Sequence, residues 1–236
     1  MENLKIIWHI QLIEDSFFKL QKLEVVSCEN LTNIFQSNML TRFQSLEKLI
    51  VEDCGSLQEI FELEGQDVRE TYAVRTFPLK ELELSGLPKL KNVWNNKDPQ
   101  GFFSFQNLQK ILVGQCESLK SLFPASVARC LMQLKELRIV VCGVEEIVAS
   151  EDGVEATTRF VFPKVTQLML RELPKLKWFY QHMHTSEWPL LKELSLCGCD
   201  QIEIFVSKIL SLQEMVEQSQ LETSLPPLFL VGEVRD

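Results

Sequence analysis

The 236-residue sequence predicts an α/β solenoid, a stack of similar coils whose strands align as a concave parallel β-sheet of about seven strands. Three observations predict it. In Phe43 to Phe61, FQSLEKLIVEDCGSLQEIF, apolar residues fall at Leu46, Leu49, Val51, Cys54, Leu57 and Ile60, in steps of 3, 2, 3, 3 and 3. Neither a helical period of about 3.6 nor a strand period of about 2 yields that series. The series also recurs: with Leu46 as anchor, equivalents stand at Leu20, Leu79, Leu108, Leu134, Val165 and Leu191, at intervals of 26, 33, 29, 26, 31 and 26 residues. Finally, the third and fifth residues after every anchor are aliphatic: Leu23/Val25, Leu49/Val51, Leu82/Leu84, Ile111/Val113, Leu137/Ile139, Leu168/Leu170 and Leu194/Leu196.

The phrase L-x-x-L-x-L-x-x-C-x-L is the signature of a leucine-rich repeat, whose usual period is about 20–29 residues. The fold expected is a leucine-rich-repeat horseshoe with irregular or short helical segments on its convex side. Each coil touches only its neighbours, so the chain is one module with a continuous core. It divides into a partial repeat over 1–16, repeats near 17–42, 43–76, 77–104, 105–130, 131–161, 162–187 and 188–206, and a C-terminal segment over 207–236.

In chain order, Leu4, Ile7 and Trp8 match Leu90, Val93 and Trp94 of the third coil, so the chain opens mid-repeat and reads as a fragment of something longer. QSNMLTRFQ, after the first coil, predicts a helical turn or two on the outer face. The polar stretch ELEGQDVRETYAVRT, the segment Asn95 to Gly101 and the acidic SEDGVEATTR read as surface loops. Pro78 lacks an N–H and suits a strand entrance, while Pro88 and Pro174 fix turns that end the strands of two coils. Pro124 opens a helix over PASVARCLMQL, with Val127, Cys130, Leu131 and Leu134 on one face at helical spacing. In the fifth coil Val144 and Ile147 come one residue early, predicting a shortened turn. VSKILSLQEMVEQSQLE has helix-like spacing at Ile209, Leu212, Met215 and Val216, and SLPPLFLVGEVRD resembles the lead-in to another coil.

Strand residues between the core positions point to the concave face. One row there is Glu24, Ile50, Glu83, Leu112, Arg138, Met169 and Ser195; a second is Lys22, Lys48, Glu81, Lys110, Glu136, Gln167 and Glu193. The frame repeats while these sites vary. Ile50, Leu112 and Met169 are apolar where water is expected, and Val26, Val140 and Val141 lie just beyond the strand core. Apolar residues set among charges are the composition of a protein-binding surface.

Other chemistries find little support. With 33 acidic against 24 basic residues the net charge is −9, which opposes a nucleic-acid backbone or an anionic membrane as partner. No apolar run approaches the roughly 20 residues of a membrane span, and Glu2 stands where a signal peptide carries basic charge. The protein therefore reads as intracellular. Of seven cysteines, Cys28, Cys54, Cys116, Cys142 and Cys199 occupy one repeat position, eight residues after the anchor. Cysteine there is a small buried hydrophobe, and an intracellular setting keeps it reduced. His182 and His184 lack zinc-site spacing, Cys197 and Cys199 lack a second pair, and Glu145 with Glu146 reads as a solvated charge run. There is no phosphate-cradling glycine loop, no catalytic constellation, no cofactor site and no metal site. The reading is a non-enzyme.

The alternation of C-x-x-L-x-x-[IL]-F with L-P-K-L-K-x-[VW], the Phe-Pro lead-ins and LFPASVARCLMQL resemble the leucine-rich-repeat region of plant intracellular coiled-coil, nucleotide-binding disease-resistance receptors. That resemblance implies a cytoplasmic module that senses a pathogen effector or a modified host protein. It also implies contact with the receptor's nucleotide-binding domain, holding that switch inactive. ADP or ATP is then expected only in that domain, which lies outside this sequence. An F-box substrate adaptor is the alternative, although its repeats hold a fixed length and favour an Asp-Gly turn after the cysteine. A secreted ectodomain comes third, on the lone sequon Asn30-Leu31-Thr32.

Overall fold

The computed structural model describes residues 4–8, 16–35, 37–61, 75–94, 103–149, 158–182 and 184–202. Seven strands make the main sheet: β1 (Lys22–Val26), β2 (Lys48–Glu52), β3 (Glu81–Ser85), β4 (Lys110–Cys116), β5 (Glu136–Cys142), β6 (Gln167–Arg171) and β7 (Glu193–Cys197). They lie in sequence order, all parallel, as an α/β solenoid requires. Every anchor-relative position pairs with its equivalent: Leu23, Leu49, Leu82, Ile111, Leu137, Leu168 and Leu194 form one continuous row.

Backbone hydrogen bonds carry the register. The Gln21 carbonyl accepts from the amides of Glu47 (2.8 Å) and Lys48 (3.0 Å), and the same two-donor contact recurs at Glu47, Lys80, Gln109, Lys135 and Thr166. The aliphatic rows are buried through the middle of the stack. At the ends they are less covered: Leu23 is half-buried and Leu194 is 43% exposed. Each terminal strand has a described strand on one side only, so its core residues lack the second neighbour that would cover them.

The same backbone step recurs at the C-terminal end of each strand, just beyond five of them and within the last two residues of β4 and β5. The residue seven after the anchor adopts positive φ in all seven coils: Ser27, Asp53, Gly86, Gln115, Val141, Glu172 and Gly198. This left-handed step swings the next side chain into the core, where Cys54, Leu87, Cys116, Cys142 and Leu173 are buried. Each repeat cysteine donates its S–H to the carbonyl two residues earlier, as Cys54 does to Glu52 (3.3 Å) and Cys116 to Gly114 (3.2 Å). The amides of Ser27, Asp53, Gly86 and Glu172 donate across to the next coil.

The convex side contains more strand than the sequence suggested. Return segments pair as short parallel ladders, Asn33–Phe35 with Glu59–Phe61 and Asn92–Trp94, then Ser121–Pro124 with Glu146–Ala149 and Trp178–Tyr180. Corner strands also form where loops were expected: Arg75–Thr76 pairs with Phe103–Ser104, and Thr158–Val161 with His184–Glu187. The main-chain groups of one coil meet their equivalents in the next, and pairing satisfies both. Helix is sparse among the described residues: a 3₁₀ segment at Ser37–Arg42, as foreseen, and α1 (Ala125–Cys130). Pro124 is the N-cap of α1 (φ −68°, ψ 152°), one place before the position expected. Leu131 and Leu134 are buried but lie past the helix end, and Cys130 is only partly covered.

The shortened fifth turn is present. Cys142 pairs with Cys116 and Glu146 with Ser121, so the later turn is one residue shorter. Gly143 makes that possible, because a Cβ there would collide with the Glu117 carbonyl. The loop stretches 62–74, 95–102 and 150–157, the helix-like 206–222 and the segment 224–236 lie outside the described residues.

Aromatic rings fill the space behind the sheet. Phe35 stacks on Phe61 (5.4 Å, 6°), Phe61 on Trp94 (6.2 Å, 18°), and Phe43, Phe77 and Phe105 face that column largely edge-on or tilted. Trp8 stacks on Phe35 (6.4 Å, 18°) and donates Nε1–H to the Ile34 carbonyl (2.7 Å). In the fifth coil Leu131 takes the ring position and Ala125 and Ala128 let α1 pack close. A second cluster follows, with Phe162 stacked on Trp188 (4.2 Å, 17°) and His184 enclosed by Phe160, Phe179 and Tyr180. His184 is therefore a buried residue of the corner strand His184–Glu187. Its Nδ1 lies 2.9 Å from the His182 carbonyl, an acceptor only, so Nδ1 carries the proton. Burial pushes its pKa below the ordinary histidine value.

Two stability tests follow from these environments. A left-handed L-residue costs about 1–2 kcal/mol, and a β-branched one is the worst case. Glycine returns about 0.5–1 kcal/mol of that as chain entropy. Val141→Gly is therefore expected to stabilise by roughly 0.5–1 kcal/mol. Val140→Gly, one residue earlier in the strand, is expected to destabilise by about 1 kcal/mol; urea melts that rank the two alike would remove strain from the account. For His184, unfolding raises the pKa toward about 6.5. The neutral ring's contribution is thus complete above that pH and declines as pH falls toward the lower folded-state value. Unfolding midpoints measured from pH 7.5 down to 5.5 should fall less steeply in His184→Gln than in the wild type.

Candidate protein-binding face

Side chains alternate across a strand, so residues two, four and six after each anchor share the concave side. The structure brings together both rows named from the sequence. Lys22, Lys48, Glu81, Lys110, Glu136, Gln167 and Glu193 lie in one register, and Glu24, Ile50, Glu83, Leu112, Arg138, Met169 and Ser195 in the next. Leu112 and Met169 are partly exposed. Ile50 is not available in the way expected: it is 8% exposed, with Glu24 and Glu83 beside it and Lys48 two residues earlier on the same face. Long side chains shade the shorter one between them.

The charges of this face hold one another. Lys48 Nζ donates to Glu81 and Glu83, each at 2.8 Å, and Lys110 stands 3.9 Å from Glu83. Lys22 pairs with Glu24 (2.7 Å), and Arg138 Nε with Glu136. The two glutamates raise the Lys48 pKa well above the ordinary lysine value, and Lys48 holds the Glu81 carboxyl below its own. Over the three concave positions of all coils stand five cations and six carboxylates, a net of −1 in a chain of −9. The face is polar yet nearly neutral, with spacing set by the strands.

A third row was missed by the sequence reading: Val26, Glu52, Ser85, Gly114, Val140, Arg171 and Cys197. Alternation carried two residues further would have found it. Val26 and Val140 belong to it, but Val141 does not, because its left-handed backbone turns it away. Ser85 and Gly114 adjoin in the centre of this row, and the face dips there into a hollow of about 260 Å³. Glu52 and Val140 stand at its two ends, with Leu112 and Arg138 along one side.

The reactive-looking residues occupy structural places. All seven cysteines are free thiols. Burial raises the Cys54 thiol pKa, and the sulfur of Cys142 together with burial raises that of Cys116, so these groups stay protonated and inert. Among the described residues no cluster of His, Cys, Asp or Glu is arranged to hold a metal ion, and no helix is long and apolar enough to cross a membrane.

A uniform frame of leucine-rich coils presenting a continuous parallel sheet is a leucine-rich-repeat solenoid, a class of module that generally mediates protein interactions and is generally non-catalytic. Residues 1–143, more than half of the 236, match the family model described as "Plant disease resistance protein RPS2-like, leucine-rich repeats". The chain belongs to that family. No solved structure matches it. Beyond the matched span, β6 and β7 continue the sheet in unbroken register.

The lysine between two glutamates gives a direct test of the face's electrostatics. In Lys48→Met the Glu81 carboxyl should titrate at higher pH than in the wild type, read by its carboxyl carbon resonance. The pair is partly exposed, and such bridges contribute at most about 1 kcal/mol, so the melting midpoint should move little. An unchanged Glu81 titration would show that Lys48 does not hold it.

Proposed function

We propose that this chain is the recognition module of a plant disease-resistance receptor of the intracellular, nucleotide-binding class. Its concave face binds a protein, either a pathogen effector or a host protein altered by one. In the absence of that ligand the module contacts the receptor's nucleotide-binding domain and holds it inactive. The chain itself performs no catalysis and binds no cofactor; ADP or ATP belongs to the switch domain. The observation that carries this reading is the contrast between a repeating core and concave rows that change from coil to coil. Core leucines stack the coils, whereas Leu112, Arg138 and Met169 lie partly exposed on the concave side, where another protein can reach them.

Self-neutralised charge supports the same reading. Pairs such as Lys48 with Glu81 fix the side chains of the surface before a partner arrives, which lowers the ordering cost of association. Near-neutrality also makes the fit depend on shape and on individual pairs, and less on bulk attraction.

The test is made in the full receptor. Leu112→Ala, Arg138→Glu and Met169→Ala together are expected to reduce effector-dependent co-precipitation and cell death at least tenfold, with the isolated chain's unfolding free energy changed by about 1 kcal/mol or less. A convex control, Lys120→Glu with Arg129→Glu, should leave both responses intact. Equal loss in the two variants would sink the assignment to the concave face.

A further inference from the structure

Resting on the concave-face reading, we propose that the hollow over Ser85 and Gly114 is the anchor point of that face. Its occupant is one bulky apolar side chain of a protein partner, flanked by a partner carboxylate on Arg138 and a partner cation on Glu52.

Gly114 is the starting point. It lies within β4, fourth of the seven strands, where glycine weakens the strand and gives nothing to pack. Other glycines here have structural reasons: Gly86 has φ +63° and Gly143 abuts the Glu117 carbonyl. Gly114 has neither. Its φ is not left-handed, and a Cβ would meet only the Val140 carbonyl at 3.7 Å and Ser85 Oγ at 4.0 Å, both ordinary contacts. The fold tolerates a side chain at this place, so what the glycine provides is the space. A strand-interior glycine of this kind marks close approach by a ligand or another backbone.

The size and walls of that space select the occupant. At about 260 Å³ the hollow falls below the roughly 300–1,000 Å³ of small-molecule sites, which fits a single side chain. Leu112 and Val140 give it apolar lining. Arg138 engages Nε with Glu136 and has no other ion pair among the described residues, which leaves the outer nitrogens of its fork. Glu52 likewise has no ion pair among the described residues, whereas Glu83 is held by Lys48 and Lys110. Glu52 and Val140 stand three strands apart in the ladder, about 14 Å at the usual strand spacing. An extended segment covers that in about four residues, so a cation and a carboxylate four apart, with the apolar residue midway, reach both ends.

The probe is a set of capped peptides Lys-Ala-Xaa-Ala-Asp, with Xaa as Gly, Ala, Leu, Phe or Trp, titrated into the full chain. Fluorescence polarisation gives affinity, and amide shifts at Ser85 and Gly114 give location. Binding should strengthen at least tenfold from Gly to Leu or Phe. Gly114→Leu, which fills the hollow, should abolish that dependence while melting no lower than the wild type. Gly114→Ala is the second variant should the larger one fail to fold, with a dependence cut about threefold. Arg138→Glu should remove the preference for the terminal Asp over Asn. Affinity independent of Xaa, absence of binding, or equal dependence in the wild type and a folded Gly114 variant would overturn the anchor. Those outcomes leave the concave-face reading to be decided by the receptor variants above.

Discussion

In-register hydrogen bonding between successive coils is the constraint on which everything else in this molecule depends. One carbonyl after each anchor receives two amides from the next coil, six times over, so equivalent positions cannot slip past one another. A slip of one residue would send every core leucine to the concave side. Because register holds, the aliphatic rows, the aromatic column and the concave rows each run continuously through the stack. The left-handed step at the seventh position completes the device. It turns the chain at the same place in every coil and returns it to the core, even where the residue is Val141 or Glu172 and not glycine. That these conformations persist in L-residues shows how strongly the surrounding coils determine them.

The same constraint explains why variation and stability coexist. Interval lengths range from 26 to 33 residues, yet the ladder before and after each insertion is unshifted. The extra residues do not enter the sheet. Concave side chains can then differ without disturbing the frame, since the alternation of the strand separates them from the core. The cost of variety appears as cross-strand pairing of charge. Lys48 between Glu81 and Glu83, and Arg138 against Glu136, offset within the face much of the charge that the first two rows introduce. A surface built this way is polar and ordered with little net charge. The family membership and the geometry therefore meet at one place, a sheet whose outward residues are specific to each coil.

Cysteine usage illustrates how a repeat reassigns chemistry. Seven thiols in one chain could signal redox or metal function, but five of them fill one turn position, donating S–H to local carbonyls. Where leucine replaces cysteine, at Leu87 and Leu173, the turn is the same and the site equally buried. The position requires a small or aliphatic buried group, and the thiol contributes a weak bond in addition.

The strand positions, their parallel order, the buried cysteines and the two named concave rows were determined by the sequence alone, because a repeat writes its register directly as spacing. Leu49 and Val51 cannot be on one side of a strand unless Lys48 and Ile50 are on the other. What only the tertiary structure decided involves atoms from different coils. The shading of Ile50, the pairing of Lys48 with two glutamates 33 and 35 residues away, the aromatic column and the burial of His184 in a corner strand all depend on which coil lies beside which, and how closely. So does the hollow at Ser85 and Gly114. Each is unremarkable in its own coil, and only the backbone ladder that sets β3 against β4 turns two small residues into one space.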